Sequence, residues 1–277
     1  QVASTSFLNK CKRLGSEAAG RTVEDMNRLV TLSTMFLCLL LLTSCGETTR
    51  EEQPGRGEPE TATADPITEH MGEHFEQVTA VQMALVRGDL EGIRRPTEWL
   101  AAHPAIVGLP EGWSGFVDEM RTAARLTGEA KTFAAAGVAT ATMALTCGEC
   151  HTAVKAEPRV PELGSKGLPP ADQVETVPHM LRHQWAMEQM WVGLINPSEA
   201  SWRKGAEVLT DAPLEPQMIT DESELSIDVG DLAQRVHELG HDARRTEDWS
   251  SRARIYGALL STCADCHLEL GLAIAFR

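Results

Sequence analysis

Beyond residue 65 the apolar positions recur with the 3.6-residue period of amphipathic helices rather than the alternation of strands. Ile67, Met71, His74, Val78, Val81 and Leu85 lie along one stripe, with Pro66 suited to a first helical position and Gly88 to the stop. A matching stripe runs from about Pro178 through Met180, His183, Met187, Met190, Trp191 and Leu194. The same period predicts helices over residues 89–102, 113–126 and 131–147, and again over 198–209, 225–244 and 246–263. Aromatic residues are few, with one Tyr, while Ala, Leu, Glu and Arg are plentiful, so local propensity also favours helix. The expected class is all-α.

The chain repeats itself. His70, Met71 and His74 recur as His179, Met180 and His183, and Leu100 recurs as Leu209, at an offset of 109. Phe133, Thr146, Cys147, Cys150 and His151 recur as Trp249, Thr262, Cys263, Cys266 and His267 at an offset of 116, which implies seven extra residues in the second copy, within 213–228. A unit of about a hundred residues has the size of one small domain. Four helices per copy with short loops predict two tandem antiparallel four-helix bundles. The expected boundaries are residues 66–156 and 176–277, joined by a Pro/Gly linker over 157–175.

Four of the seven cysteines form two copies of C-x-x-C-H, at Cys147, Cys150 and His151 and at Cys263, Cys266 and His267. Two thiols at this spacing reach both vinyl groups of one haem, and the adjacent His becomes the proximal iron ligand. Two such motifs at matching repeat positions point to two covalently bound haem c groups, against a zinc half-site or a thiol redox pair. Only 10 residues follow His267, too few for a fold that needs the downstream chain to build its helices. A haem motif at the end of the last helix of a four-helix unit resembles the class II cytochromes c, the cytochrome c-prime family. The resemblance covers most of residues 66–151 and 176–271 and rests on the motif position and the helix count. Members often carry a basic residue four positions after the proximal His; Lys155 fits, while Gly271 departs in the second copy.

The resemblance places the distal face of each haem against the first turns of the first helix of its copy. His74 and His183 are the expected sixth ligands, with Met71 and Met180 as alternatives and an open iron as a third arrangement; the bland alternatives are that each Met is core of its stripe and that His70 or His179 only hydrogen-bonds a propionate. An imidazole in a core stripe needs a partner to offset its desolvation, which ligation supplies. A rival motif, H-E-x-x-H at His237–His241, would place two His on one helical face for zinc. Its gapless counterpart, residues 121–125, holds no His, and Arg244 and Glu247 stand where a metzincin needs Gly and His, so a solvated helix face is expected instead.

Residues 29–42 are mostly apolar, short for a bilayer span and right for the core of a signal peptide. They close on Leu42, Thr43, Ser44 and Cys45, which resembles a bacterial lipobox with Cys45 as the lipidated residue; Met26 resembles a true start. Residues 1–45 then read as leader and lipoprotein signal peptide, and residues 46–65, rich in Glu, Thr, Gly and Pro, as a disordered tether. Five of the 25 basic and three of the 40 acidic residues lie in 1–45, leaving a net charge of −17 beyond it. Such a surface is a poor partner for nucleic acid and suits steering toward a basic redox protein. The expectation is a lipid-anchored periplasmic electron carrier without bond-making catalysis, serving redox proteins or a membrane electron-transfer complex. A five-coordinate gas-binding or sensing haem protein and an accessory relay subunit of a respiratory or photosynthetic complex are the alternatives.

Overall fold

Start and stop residues set the helix ends in the computed structural model, which describes residues 66–107, 109–110, 112–158, 167–170, 175–211 and 227–272. Among these residues are eight α-helices and no strand: α1 (Pro66–Val86), α2 (Arg94–Ala102), α3 (Ser114–Glu129), α4 (Phe133–Val154), α5 (Thr176–Ile195), α6 (Glu199–Val208), α7 (Ile227–Arg245) and α8 (Trp249–Glu269). The all-α expectation holds. The expected leader with Cys45, the tether, much of the linker and the 213–228 insertion fall largely outside the described residues.

Three helices differ from the periodicity. Helix α2 begins at Arg94, not 89, because the Asp89 carboxylate accepts a hydrogen bond from Gly92 N (2.9 Å) and holds residues 89–92 as a turn. Helix α8 starts after Asp248, whose carboxylate accepts from Ser251 N at 2.7 Å as an N-cap. Helices α4 and α8 both run past their Cys-x-x-Cys-His segments, to Val154 and Glu269, so each motif lies inside a helix.

In each copy the first helix meets the last, α1 with α4 and α5 with α8, and the two copies pack against each other. Within each copy neighbours pack in order, α1–α2–α3–α4 and α5–α6–α7–α8, yet the most extensive pairing joins α4 to α8 across the copies, and α1 also leans on α8 and α5 on α4. Residues Thr63–Arg277 therefore form one packing unit. The α4–α8 crossing is close because glycine faces glycine: a Cβ on Gly137 would fall on the Gly257 carbonyl oxygen, and one on Gly257 would lie 2.9 Å from the Gly137 carbonyl oxygen. Between the copies lies Tyr256, fully buried, stacked on Trp191 with ring centres 5.5 Å apart. Its hydroxyl donates to Met187 O (3.1 Å) and accepts from Gln82 Nε2 (3.2 Å), while Trp191 Nε1 donates to Thr79 Oγ1 (3.3 Å). These bonds tie α1, α5 and α8 together and leave neither ring's polar atom unpaired.

Candidate functional site

Helical geometry puts Cys147, Cys150 and His151 on one face of α4, at i, i+3 and i+4, and repeats this with Cys263, Cys266 and His267 on α8. Burial pushes Cys147 and Cys263 up to about 12, with the neighbouring Cys150 and Cys266 adding to it. A redox-active Cys-x-x-Cys pair needs a lowered thiol pKa, so these pairs are poor thiol catalysts.

The imidazole of each Cys-x-x-Cys-His segment is held by the other copy. His151 Nδ1 donates to Ile195 O at 2.8 Å, and His267 Nδ1 donates to Val86 O at 2.5 Å. Val86 and Ile195 are equivalent residues, 109 apart, and are the last of α1 and α5. Their carbonyls are open to an outside donor because each helix stops there. Gly88, at φ +70°, closes α1 with Gly88 N bonded to Leu85 O and Asp89 N to Ala84 O, the crossed pair of a Schellman motif, and bypasses Val86. Pro197 follows α5 and brings no N–H. Such a terminal carbonyl carries the negative end of the helix dipole and fixes the imidazole with its lone pair on Nε2, the tautomer that ligates metal.

In the first copy His151 faces a cavity of about 610 Å³, within the range of cofactor sites. His70, Met71 and His74 of α1 line it together with Cys147 and Cys150. An apolar wall of Leu109, Trp113, Phe116 and Met120 completes it. His74 Nε2 is buried without a hydrogen bond, and so is His183 Nε2 in the second copy. In the second copy His267 is near enough to His183 to act on it electrostatically, so the same two repeat positions, His74 with His151 and His183 with His267, come together in both halves. Met71 borders the first cavity, and Met71 and Met180 are equally exposed, at 36% and 37%. Two thiols and a lone-pair imidazole on one wall, with an orphaned imidazole nitrogen opposite, fit the attachment and axial ligands of a haem. Met71 is exposed enough to reach the cavity from its rim; the orphaned His74 nitrogen gives His the stronger case.

Helices α1 and α5 each run from one site to the other, in opposite directions. Helix α1 carries His74 at the first site and Val86 at the second, 12 residues on; α5 carries His183 at the second and Ile195 at the first, also 12 on. At 1.5 Å per residue each span is about 18 Å.

Sequence reasoning missed a third imidazole at each site. His70, His74 and His103 bring ligating nitrogens within 4.8 Å of one another, and so do His179, His183 and His237. The expected solvated face at His237 is corrected: the residue is 3% exposed and Nδ1 donates to Leu209 O (3.0 Å), whereas His241 is exposed. Gly240 allows this, since a Cβ there would lie 2.6 Å from Leu209 O. His237 is thus tied to Leu209 O and grouped with His179 and His183 while His241 faces solvent, so the H-E-x-x-H pair forms no three-residue ligand group of its own among the described residues.

Burial lowers His74 and His179 to about 4, with neighbouring imidazoles and Arg121 or Arg182 adding to it, and lowers His183 and His237 as well. The unfolded chain, near 6.5, takes up protons that the folded chain refuses, so stability is full above pH 6.5 and falls as pH drops toward 4. The loss is on the order of 3 kcal/mol for His74 alone. Urea midpoints at pH 7.5, 6 and 5 should fall in step; a flat profile would contradict neutral burial. Glu199 lies below the usual carboxylate value through its Arg252 hydrogen bond and adds the same sign only below about pH 4.5. Compared with known proteins, the chain matches no family model, no curated protein and no solved structure.

Proposed function

We propose that the chain is a dihaem c-type cytochrome that carries single electrons between redox proteins, tethered to the periplasmic side of a bacterial membrane through Cys45. The reading assigns each half a haem at the end of a four-helix unit. One observation supports it above the others: the set of two helical thiols, a carbonyl-tied imidazole and an orphaned imidazole occurs twice, at equivalent repeat positions. Bound haem would supply a one-electron ferric/ferrous couple whose potential depends on axial ligands and burial.

The chain's own residues supply the rest. Cys147 and Cys150, and Cys263 and Cys266, fix the porphyrin through thioethers. His151 and His267 ligate through Nε2 because Ile195 O and Val86 O occupy Nδ1–H. His74 and His183 close the sixth position, which favours rapid transfer over ligand binding and sets a lower potential than Met would. The apolar wall around the first cavity excludes water and limits reorganisation. The net −17 beyond residue 45 steers the carrier toward basic partners, and its association should weaken with salt.

Low-temperature EPR of His74→Ala and His183→Ala tests the ligand assignment. Each variant is expected to convert one of the two ferric haems from low to high spin and to open that haem to carbon monoxide. Unchanged spin states in both variants would remove these ligands, and an exported chain without Soret absorbance would end the haem reading itself.

A further inference from the structure

The two histidine clusters are built from different parts of the chain. His70 and His74 match His179 and His183 at the offset of 109, so each pair came with the duplication. The third imidazoles have no such relation. His103 follows α2 and has Ala212 as its counterpart; His237 lies on α7 and has Arg121. Each half has nonetheless gathered three ring nitrogens within 4.8 Å. Bringing a third imidazole next to two others costs desolvation and mutual repulsion of any protonated form, so packing alone gives no reason for it to arise twice by separate routes.

We propose that each cluster is a binding site for one divalent ion of the kind imidazole favours, Zn²⁺ or Cu²⁺. His103 Nε2 and His70 Nδ1 share a hydrogen bond of 3.3 Å, whose proton an ion binding between the two rings displaces to solvent. Zn–N bonds of about 2.0–2.1 Å at tetrahedral angles place two ligand nitrogens about 3.3–3.4 Å apart. The third nitrogen, His74 Nε2, is buried and unpartnered. In the second cluster His183 Nε2 is unpartnered in the same way, and the bond from His237 Nδ1 to Leu209 O leaves the His237 Nε2 lone pair free. Local charge does not forbid a cation. Glu73 Oε2 lies 3.5 Å from His103 Nε2, Arg121 is 3.8 Å from Asp118, and Arg182 beside the second cluster is ion-paired with Asp211. Three imidazoles leave a tetrahedral ion one open position for water or a small anion.

The consequence for the carrier rests on the haem reading above. Nε2 of His74, like that of His183, has one lone pair, so the ion in the cluster and the haem iron draw on the same ligand. Ion binding would withdraw the sixth ligand and open the iron; ion removal would restore it. The site is then a metal-controlled gate between an electron-carrying and a ligand-accepting haem.

The test uses the untagged, haem-loaded full chain, dialysed against Zn²⁺ and then against metal-free buffer, with zinc counted by mass spectrometry. The expected content is two ions per chain, one in His103→Ala, one in His237→Ala and none in the double variant, with Zn²⁺ shifting the wild-type ferric spectrum from low to high spin and a chelator reversing it. His103→Gln and His237→Gln, with helicity checked by circular dichroism, repeat the count if an alanine variant fails to fold. Equal zinc in the wild type and the double variant overturns the sites; zinc bound with an unmoved spectrum overturns the shared ligand. A preparation without Soret absorbance fails the haem reading alone, and its zinc counts still decide the clusters.

Discussion

Gly137→Val is expected to lower the stability of the folded chain by at least about 3 kcal/mol, the upper end of overpacking, and to drop the thermal midpoint by many degrees. The new side chain would strike the Gly257 carbonyl, which is backbone of a buried helix and has no rotamer by which to move aside. Helices α4 and α8 would have to separate, and with them the pairing that joins the two copies. The milder series gives an order. Gly137→Ala should destabilise more than Gly257→Ala, whose Cβ meets the facing oxygen at 2.9 Å, while Gly115→Ala, with nothing within 4 Å, should stabilise slightly. Unfolding followed by circular dichroism at 222 nm orders the four variants. Gly137→Val within about 0.5 kcal/mol of wild type would mean that the crossing is not where the copies are held together.

That crossing also marks where the sequence stopped being readable. Gly137 and Gly257 are 120 apart, not 116, so the repeat alignment sets Gly137 against Ala253 and Gly257 against Ala141 and hides the contact. What was readable is local. Pro66 and Gly88 bound α1 because a fixed φ and a left-handed turn need no tertiary information. Helix α2 started late because Asp89 captures its own backbone, a competition that hydrophobic period does not register. The Cys-x-x-Cys-His faces and the place of His74 and His183 in their core stripes were legible from spacing, since helical geometry fixes which side chains share a face.

The partners of those imidazoles were not legible. His151 and His267 bond to carbonyls 44 and 181 residues away, and no side-chain identity encodes an acceptor on the backbone. His103 and His237 escaped because equivalence between copies was the guide, and they are not equivalent. A signal for His237 did exist: Gly240, three residues on, shares its helical face, and a glycine inside a helix often marks close approach of another backbone. Reading that glycine would have turned His237 inward.

The paired substitution Cys147→Ala/Cys150→Ala is expected to yield a chain carrying one porphyrin rather than two, and Cys263→Ala/Cys266→Ala likewise, by intact mass and by a halved Soret band. A chain that keeps both porphyrins would place attachment elsewhere. The cross-tied architecture extends the expectation to the haem that remains. Emptying the first site frees His151, the imidazole that grips Ile195 at the end of α5, and α5 carries His183 to the second site at its other end. A helix is stiff over about 18 Å, so a change of position at one end is felt at the other. Couplings between sites typically amount to about 1–3 kcal/mol, and for one electron about 1.4 kcal/mol corresponds to 59 mV. The surviving haem should therefore shift its midpoint potential by about 40–130 mV relative to the intact protein. Because α1 repeats the arrangement in reverse, through His267 and Val86, the shift should appear whichever haem is removed. Two unshifted potentials would show that each imidazole is merely parked against the other half, with the halves acting as independent carriers.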